Sequence, residues 1–284
     1  MEHLLAEILK SQVSPDAWTW LEDQAQQIRT EPGAAKLNHC FVLIPRKTGK
    51  KPITPTSAQL VELEKNLPGA GLQDWTADRL ARVWILTQID TSSSDTYVRK
   101  IEQLFLTAEM NELVALYSAL PYLKFPERWV LRCSEGIRNN IATVLEAVMY
   151  ENPYPAQWLS ESAWNQLVMK AFFTDKNVDR ITGLDKRANQ HLADILTDYA
   201  HERWQAHRKV NPQLWRLVSR FINNNNFSDL RKVYSEGDHV EKKAAILACS
   251  QSEFAPAKQL VAEAAGTTNI LETLSWKSLI NESL

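Results

Sequence analysis

The sequence predicts an all-α fold in which short antiparallel helices pack as a curved, HEAT-like helical-repeat array. Three observations predict it. Only 8 glycines occur in 284 residues, fewer than the strand-to-helix turns and phosphate-binding loops of an α/β enzyme of this length would use. Apolar residues recur at helical spacing behind recognisable start signals. No stretch alternates as a half-buried strand does, and none carries a convincing hairpin turn. The chain is long enough for two compact domains or one extended array.

The elements follow in chain order. Ser14-Pro15-Asp16 reads as an N-cap with proline at the first helical position, and Trp18, Leu21, Ala25 and Ile28 supply the apolar face behind it. The run from His39 to Ile44 fits a helix end or an isolated extended piece. From Ile44 to Ser57 the chain turns basic and proline-bearing, with Pro45, Arg46, Lys47, Lys50, Lys51, Pro52 and Pro55. An exposed linker is predicted near 44–57, since no aromatic residue interleaves with the charges as a nucleic-acid contact would require. Residues 1–75 are thereby read as an N-terminal helical region and 76–284 as a helical-repeat-like main domain.

Thr91 to Asp95 and Asn223 to Asn226 are polar breaks. Helices are predicted over Met110 to Leu123, Glu127 to Tyr150, Ser160 to Phe173, Arg187 to Arg208 and Val240 to Ser250. Asn211-Pro212 repeats the earlier start signal, ahead of Leu214, Trp215, Leu217, Val218 and Phe221. The segments Glu241 to Ala248 and Phe254 to Ala265 resemble helical-repeat hairpins, although no strict period runs through them.

Polar residues in the middle of the chain sit where a helical wheel expects burial. On a helix from Glu135 to Met149, Ile137, Ile141, Val144, Leu145 and Val148 form one stripe. Glu135, Arg138, Asn139 and Glu146 gather opposite, as a solvated face or the wall of a groove. Asn165 falls between Met169 and Phe172 in an apolar arc. Arg203 shares the face of Leu192, Ile195, Leu196 and Tyr199, so it either snorkels outward or is buried against a carboxylate. Burial is the expectation, with Glu135, Glu146 and Asp185 as candidate partners. Across that helix lie His191, Asp194, Asp198, His201, Glu202 and Gln205. Asp198, His201 and Glu202 have the spacing of an acid–base group. They do not make a His-Glu-x-x-His zinc motif, because Gln205 stands where the second histidine would, and no cofactor or metal is expected.

Net charge is −2, which gives no global attraction to nucleic acid or anionic lipid. Residues Met1 to Lys10 lack a secretory pattern and no apolar run is long enough to span a bilayer, so a cytoplasmic protein without an integral membrane segment is expected. Cys40, Cys133 and Cys249 are far apart and read as buried free thiols.

The middle of the chain carries a series of ordered motifs: Leu116-Tyr117-Ser118-Ala119-Leu120-Pro121, Glu135-Gly136-Ile137-Arg138-Asn139-Asn140, Glu146 followed by Asn152-Pro153-Tyr154-Pro155-Ala156, and Trp164-Asn165-Gln166 with Lys170-Ala171-Phe172. They continue through Gly183-Leu184-Asp185 with Arg187-Ala188-Asn189, Asp198-Tyr199-Ala200-His201-Glu202-Arg203-Trp204, and Leu214-Trp215-Arg216. In these motifs the chain is similar to the EboA family of bacterial metabolite-traffic accessory proteins. The resemblance covers roughly residues 110 to 220, and the first third of the chain adds little to it.

What the resemblance implies is a role beside other proteins of one operon, among them a prenyltransferase-like membrane protein and a metal-dependent hydrolase-like protein. Such operons serve secondary-metabolite production and movement of a metabolite or its precursor out of the cytoplasm. The family offers no catalytic residues to transfer. Ligand- or partner-binding candidates are therefore Glu135, Arg138, Asn139, Glu146, Asn165, Lys170, Asp198, Tyr199, His201, Glu202, Arg203 and Trp204. The expected function is a non-enzymatic adaptor or metabolite-binding accessory protein, its partners being operon proteins, a small organic metabolite or both. The alternatives are a metabolite-modifying enzyme centred on Asp198, His201 and Glu202, or a nucleic-acid-binding helical-repeat protein, which the near-neutral charge disfavours.

Overall fold

Start signals written in the sequence become helix caps in the structure, a computed structural model that describes residues 1–265 and 274–283. Among the described residues there are seventeen α-helices and four short 3-10 segments. Among those same described residues, extended pieces pair only as two isolated bridges, Pro52 with Thr76 and Tyr150 with Ile181. The protein is all-helical. Its helices range from 5 to 16 residues in length. None of the described helices is long and apolar enough to cross a membrane.

The chain divides into two compact units, Met1–Leu167 with Arg180–Thr182, and Val168–Asp179 with Gly183–Leu284. The first holds α1 (Glu2–Gln12), α2 (Pro15–Thr30), α3 (Ala35–Thr48), α4 (Ser57–Asn66), α5 (Ala77–Leu86), α6 (Ser94–Thr107), α7 (Met110–Ala119), α8 (Val130–Ile137), α9 (Ala142–Met149), α10 (Tyr154–Trp158) and the start of α11 (Glu161–Phe173). Ser14 Oγ accepts the Ala17 N–H at 3.2 Å. Ser93, inside the polar break, does the same for Thr96 at 3.3 Å. Each bond satisfies a donor that a helix start leaves open.

At the centre of this unit, α5 packs against α1, α2, α3 and α7. Every residue of α5 except Arg79 is buried, as befits a helix surrounded by others. It carries two charges into the core, Asp78 and Arg82, which meet at 2.9 Å.

The run from His39 to Ile44 is helical and lies within α3, where Cys40, Phe41 and Ile44 are buried. The helix passes through Pro45 to Thr48, so only Gly49 to Thr56 of the basic stretch is loop. That loop is mostly exposed but fixed by its backbone: Ile53 donates to the Trp75 carbonyl at 3.0 Å and Ala77 donates to that of Lys51 at 2.9 Å.

The helix expected from Glu127 to Tyr150 is three pieces: a 3-10 turn over Pro126–Trp129, then α8, then α9. Asn139 causes the interruption, its Oδ1 accepting the Ile141 N–H at 2.7 Å, a local bond that competes with helix continuation. The single stripe expected from Glu135 to Met149 is therefore broken, and Ile141 is exposed. Gly136 allows α8 to sit close to its neighbours. A Cβ there would lie 2.6 Å from a Tyr117 ring carbon and 2.7 Å from a Val148 methyl. Asn152 then locks the chain after α9: its amide donates to the Tyr117 and Ala147 carbonyls at 3.1 and 3.0 Å, and its Oδ1 accepts from Tyr154 N.

The second unit contains the end of α11 with α12 (Gln190–Gln205), α13 (Leu214–Val218), α14 (Phe227–Glu236), α15 (His239–Ser250), α16 (Ala255–Ala265) and α17 (Trp276–Ser283). Its centre is α15, which packs on α13, α14, α16 and α17 and buries Ala244 through Cys249 without a break. Asn189 caps α12 at 2.9 Å, and Asp238 with Glu241 forms a capping box on α15. The helix expected after Asn211-Pro212 is short. Asn211 Oδ1 accepts the Gln213 N–H, α13 begins at Leu214, and a 3-10 turn replaces it from Ser219. All three cysteines are free and buried. Burial raises the Cys133 thiol far above its usual range, which disfavours the reactive thiolate.

Candidate functional site

Within the first unit, residues 73–79, α7, α9, Tyr150 and Arg180 line a pocket of about 320 Å³. Trp75, Val114 and Tyr150 give it aromatic and apolar walls, and Arg79, Asn111, Glu146 and Arg180 give it polar ones.

Arg79 is placed by its own helix. One turn after Trp75, its guanidinium lies 4.4 Å from the centre of that ring, and its Nε donates to Ser118 Oγ at 2.8 Å. Ser118 is fixed in turn by donating to the Val114 carbonyl. Among the described residues, the terminal nitrogens of Arg79 have no hydrogen-bond acceptor and no carboxylate within ion-pair distance. Partial desolvation pushes its pKa down to about 10, with Tyr122, Glu151 and Asp74 acting in the opposite sense. It is therefore a cation at neutral pH, and its half-buried side chain keeps the terminal nitrogens open to solvent or to a ligand.

Arg180 is the contrasting case. It lies 4.6 Å from the centre of the Tyr150 ring and is clamped by Asp74 at 2.8 Å and Glu151 at 2.9 Å. Both of those acids sit at positive φ, 61° and 50°, a conformation that side chains other than glycine adopt at a cost. Gly71 makes room for the clamp, because a Cβ there would lie 2.2 Å from Glu151 Oε2. Burial works against the Arg180 charge, but its bonds to Asp74 and Glu151 outweigh that and raise its pKa. A neighbouring pocket of about 660 Å³ is lined by Arg82, Glu112, Arg46 and Lys50. Its buried arginine is already occupied by Asp78, by Glu112 at 3.9 Å and by the Phe41 carbonyl.

Of the candidate residues read from the sequence, Glu146 lines the first pocket. Glu135 accepts from Arg132 at 2.7 Å, Arg138 is exposed beyond the end of α8, and Asn139 makes the turn before α9. Asn165 is buried, as its apolar arc predicted. The other candidates belong to the second unit. Lys170 is half-buried, and Asp198 and Glu202 are exposed. His201 does not pair with either acid; its Nε2 lies 2.9 Å from Asp229 Oδ1 on α14. Tyr199 packs edge-on against Phe173, with ring centres 4.8 Å apart. Trp204 stacks on Trp215 at 6.0 Å and is covered by the Lys232 ammonium at 4.5 Å.

Arg203 is not the buried ion pair expected of it. The side chain is half-exposed, its Nε donates to the Lys209 carbonyl at 2.8 Å, and its guanidinium lies 6.0 Å from the Tyr199 ring centre. Its apolar stem covers the helix face while its head reaches the chain beyond the helix end. Asp185, one expected partner, is held by Arg216 at 2.5 and 2.6 Å, together with Asp179 at 2.9 Å.

Many of the resembling motifs thus bind one another: Tyr117 with Asn152, Asp185 with Arg216, Trp204 with Trp215. The pocket residues Trp75, Arg79, Tyr150 and Arg180 were missed because they lie outside the polar motifs that drew attention. An aromatic residue followed by arginine one turn later, Trp75 and Arg79, was the available signal.

A family model described as metabolite traffic protein EboA matches residues 1–219. No curated protein and no solved structure matches the chain. The matched span starts at the first residue, so it takes in α1 to α5, to which the resemblance between motifs added little, along with every residue of the pocket. With most of its length matched, the chain belongs to the EboA family of metabolite traffic proteins.

Proposed function

We propose that this protein is a non-enzymatic metabolite-binding accessory protein, which holds a small organic metabolite or precursor in the pocket between Trp75, Val114 and Tyr150 and passes it to partners of the same pathway in the cytoplasm. The observation that carries this reading is the pocket itself: aromatic and apolar walls with a few polar groups placed by well-packed helices, the usual make-up of a small-molecule site. Its acids Asp74 and Asp78 are committed to Arg180 and Arg82, which leaves them poorly suited to proton transfer. The family's metabolite-traffic description supports the same reading.

Arg138, Asp198, His201 and Glu202, which keep exposed side-chain surface, are assigned to contacts with an operon protein. His201 is oriented by Asp229 rather than by its helix neighbours, which weakens the acid–base alternative as first framed.

The test is native mass spectrometry of protein purified from its host. A bound organic molecule is expected, recovered chemically unchanged after incubation with the protein and lost when Val114→Trp fills the pocket. Consumption of that molecule by the purified protein, or its full retention by a folded Val114→Trp variant, would overturn the reading.

A further inference from the structure

Three arginines lie in or beside the pocket, and two have their charge answered. Arg180 has Asp74 and Glu151. Arg82 has Asp78, Glu112 and the Phe41 carbonyl. Arg79 has one neutral hydroxyl, Ser118, and the face of Trp75. Its remaining donors lack a protein acceptor among the described residues, yet the side chain is held at two points. A guanidinium so fixed has already lost much of the side-chain entropy that binding would cost it. It presents a planar fork of N–H groups that matches the two oxygens of a carboxylate or phosphate. Of the carboxylates lining the same pocket, Asp74 and Asp78 are neutralised by their own arginines.

Resting on the reading of this pocket as a metabolite site, we propose that the pocket selects organic oxyanions, with Arg79 gripping a carboxylate or phosphate through its terminal nitrogens and with Val114 and Tyr150 against an apolar body. A volume of about 320 Å³ lies at the small end of ligand sites, so the body is small. Selectivity over a neutral isostere follows, because a neutral amide supplies no charge-assisted bond to the guanidinium.

The experiment uses benzoate, phenyl phosphate and neutral benzamide as probes. Binding is followed by calorimetry and by the indole N–H resonance of Trp75, assigned by its loss in Trp75→Phe. At least one anion is expected to bind and to shift Trp75, with benzamide weaker by about tenfold or more. Arg79→Met, which keeps an apolar stem over Trp75, is expected to weaken the anion about 10- to 100-fold. The ranking of benzoate against phenyl phosphate then identifies which oxyanion is preferred. If Arg79→Met does not fold, the comparison of anion with benzamide on the unsubstituted protein decides alone.

Equal affinity for benzamide, or full anion affinity in a folded Arg79→Met, would overturn the oxyanion assignment. So would the failure of both anions to move the Trp75 resonance. In each case, loss of the co-purified metabolite in Val114→Trp would show that the pocket is still a metabolite site; retention there would remove both readings together.

Discussion

Pro45 and Arg82 complete one another. Proline has no N–H to give the carbonyl four residues earlier, and that carbonyl, on Phe41, accepts the Arg82 Nε at 3.1 Å instead. A helix defect on α3 and a buried cation on α5 thus satisfy each other, with Asp78 balancing the charge at 2.9 Å.

Replacing Arg82 with methionine leaves both Asp78 and the Phe41 carbonyl without this partner in the core. A loss of about 3 to 5 kcal/mol is expected in urea unfolding. Adding Pro45→Ala to that variant returns an N–H to the Phe41 carbonyl and should recover about 0.5 to 1.5 kcal/mol. The same Pro45→Ala change in the unsubstituted protein should gain less, because the carbonyl is already bonded. Equal effects in the two backgrounds would show that the two residues are not coupled.

Gly136 belongs to a motif that drew attention as a candidate for function, but its surroundings assign it to packing. Tyr117 and Val148 occupy the space of an added methyl, so Gly136→Ala should destabilise the first unit by about 1 to 3 kcal/mol through overpacking. Binding of the oxyanion probe should persist wherever the variant remains folded. A melting temperature equal to that of the unsubstituted protein would contradict the close approach.

Arg203 and Arg216 exchange the importance their sequence positions suggested. Arg203 is half-exposed and bonded to a carbonyl, so Arg203→Ala should cost no more than about 1 kcal/mol. Arg216 joins Asp179 and Asp185 with little of its own side chain exposed. Its removal should cost about 1 to 3 kcal/mol, discounted for the partial exposure of both acids. Thermal unfolding of the two alanine variants side by side settles the order.

These contrasts mark where the sequence was legible. The Ser14 cap acts within one turn, so that helix start and the all-helical class could be read directly, whereas the helix expected from Arg187 starts only at Gln190, behind the Asn189 cap. The interruption after α8 was also written locally, in Asn139, but the periodicity of Ile137, Ile141 and Val144 masked it. Arg203 was misjudged because a wheel shows which face a residue lies on and nothing of how far its stem reaches. Glu146 could be picked out from its motif. Arg79 could not, because what distinguishes it is the lack of a carboxylate partner, and that depends on where Asp74, Glu151 and Ser118 come to rest.

The last prediction turns on the charge of residue 79. Partial desolvation lowers the arginine pKa to about 10, so the cation persists at neutral pH and oxyanion affinity should stay flat up to about pH 9. Lysine starts from a lower ordinary value, about 10.4, and the same desolvation would lower it further in folded Arg79→Lys. Its folded form then releases the proton at a lower pH than the unfolded chain does. Between the two pKa values the unfolded state binds more protons, so the stability of this variant should rise with pH. Oxyanion affinity must move the other way and drop across the same window, because the anion binds the charged amine. Phenyl phosphate titrations and urea unfolding from about pH 7 to about pH 10 read both trends. Opposite slopes in Arg79→Lys beside flat oxyanion affinity in the unsubstituted protein up to about pH 9 are the expected result, and parallel behaviour of the two proteins would mean that residue 79 does not hold the anion.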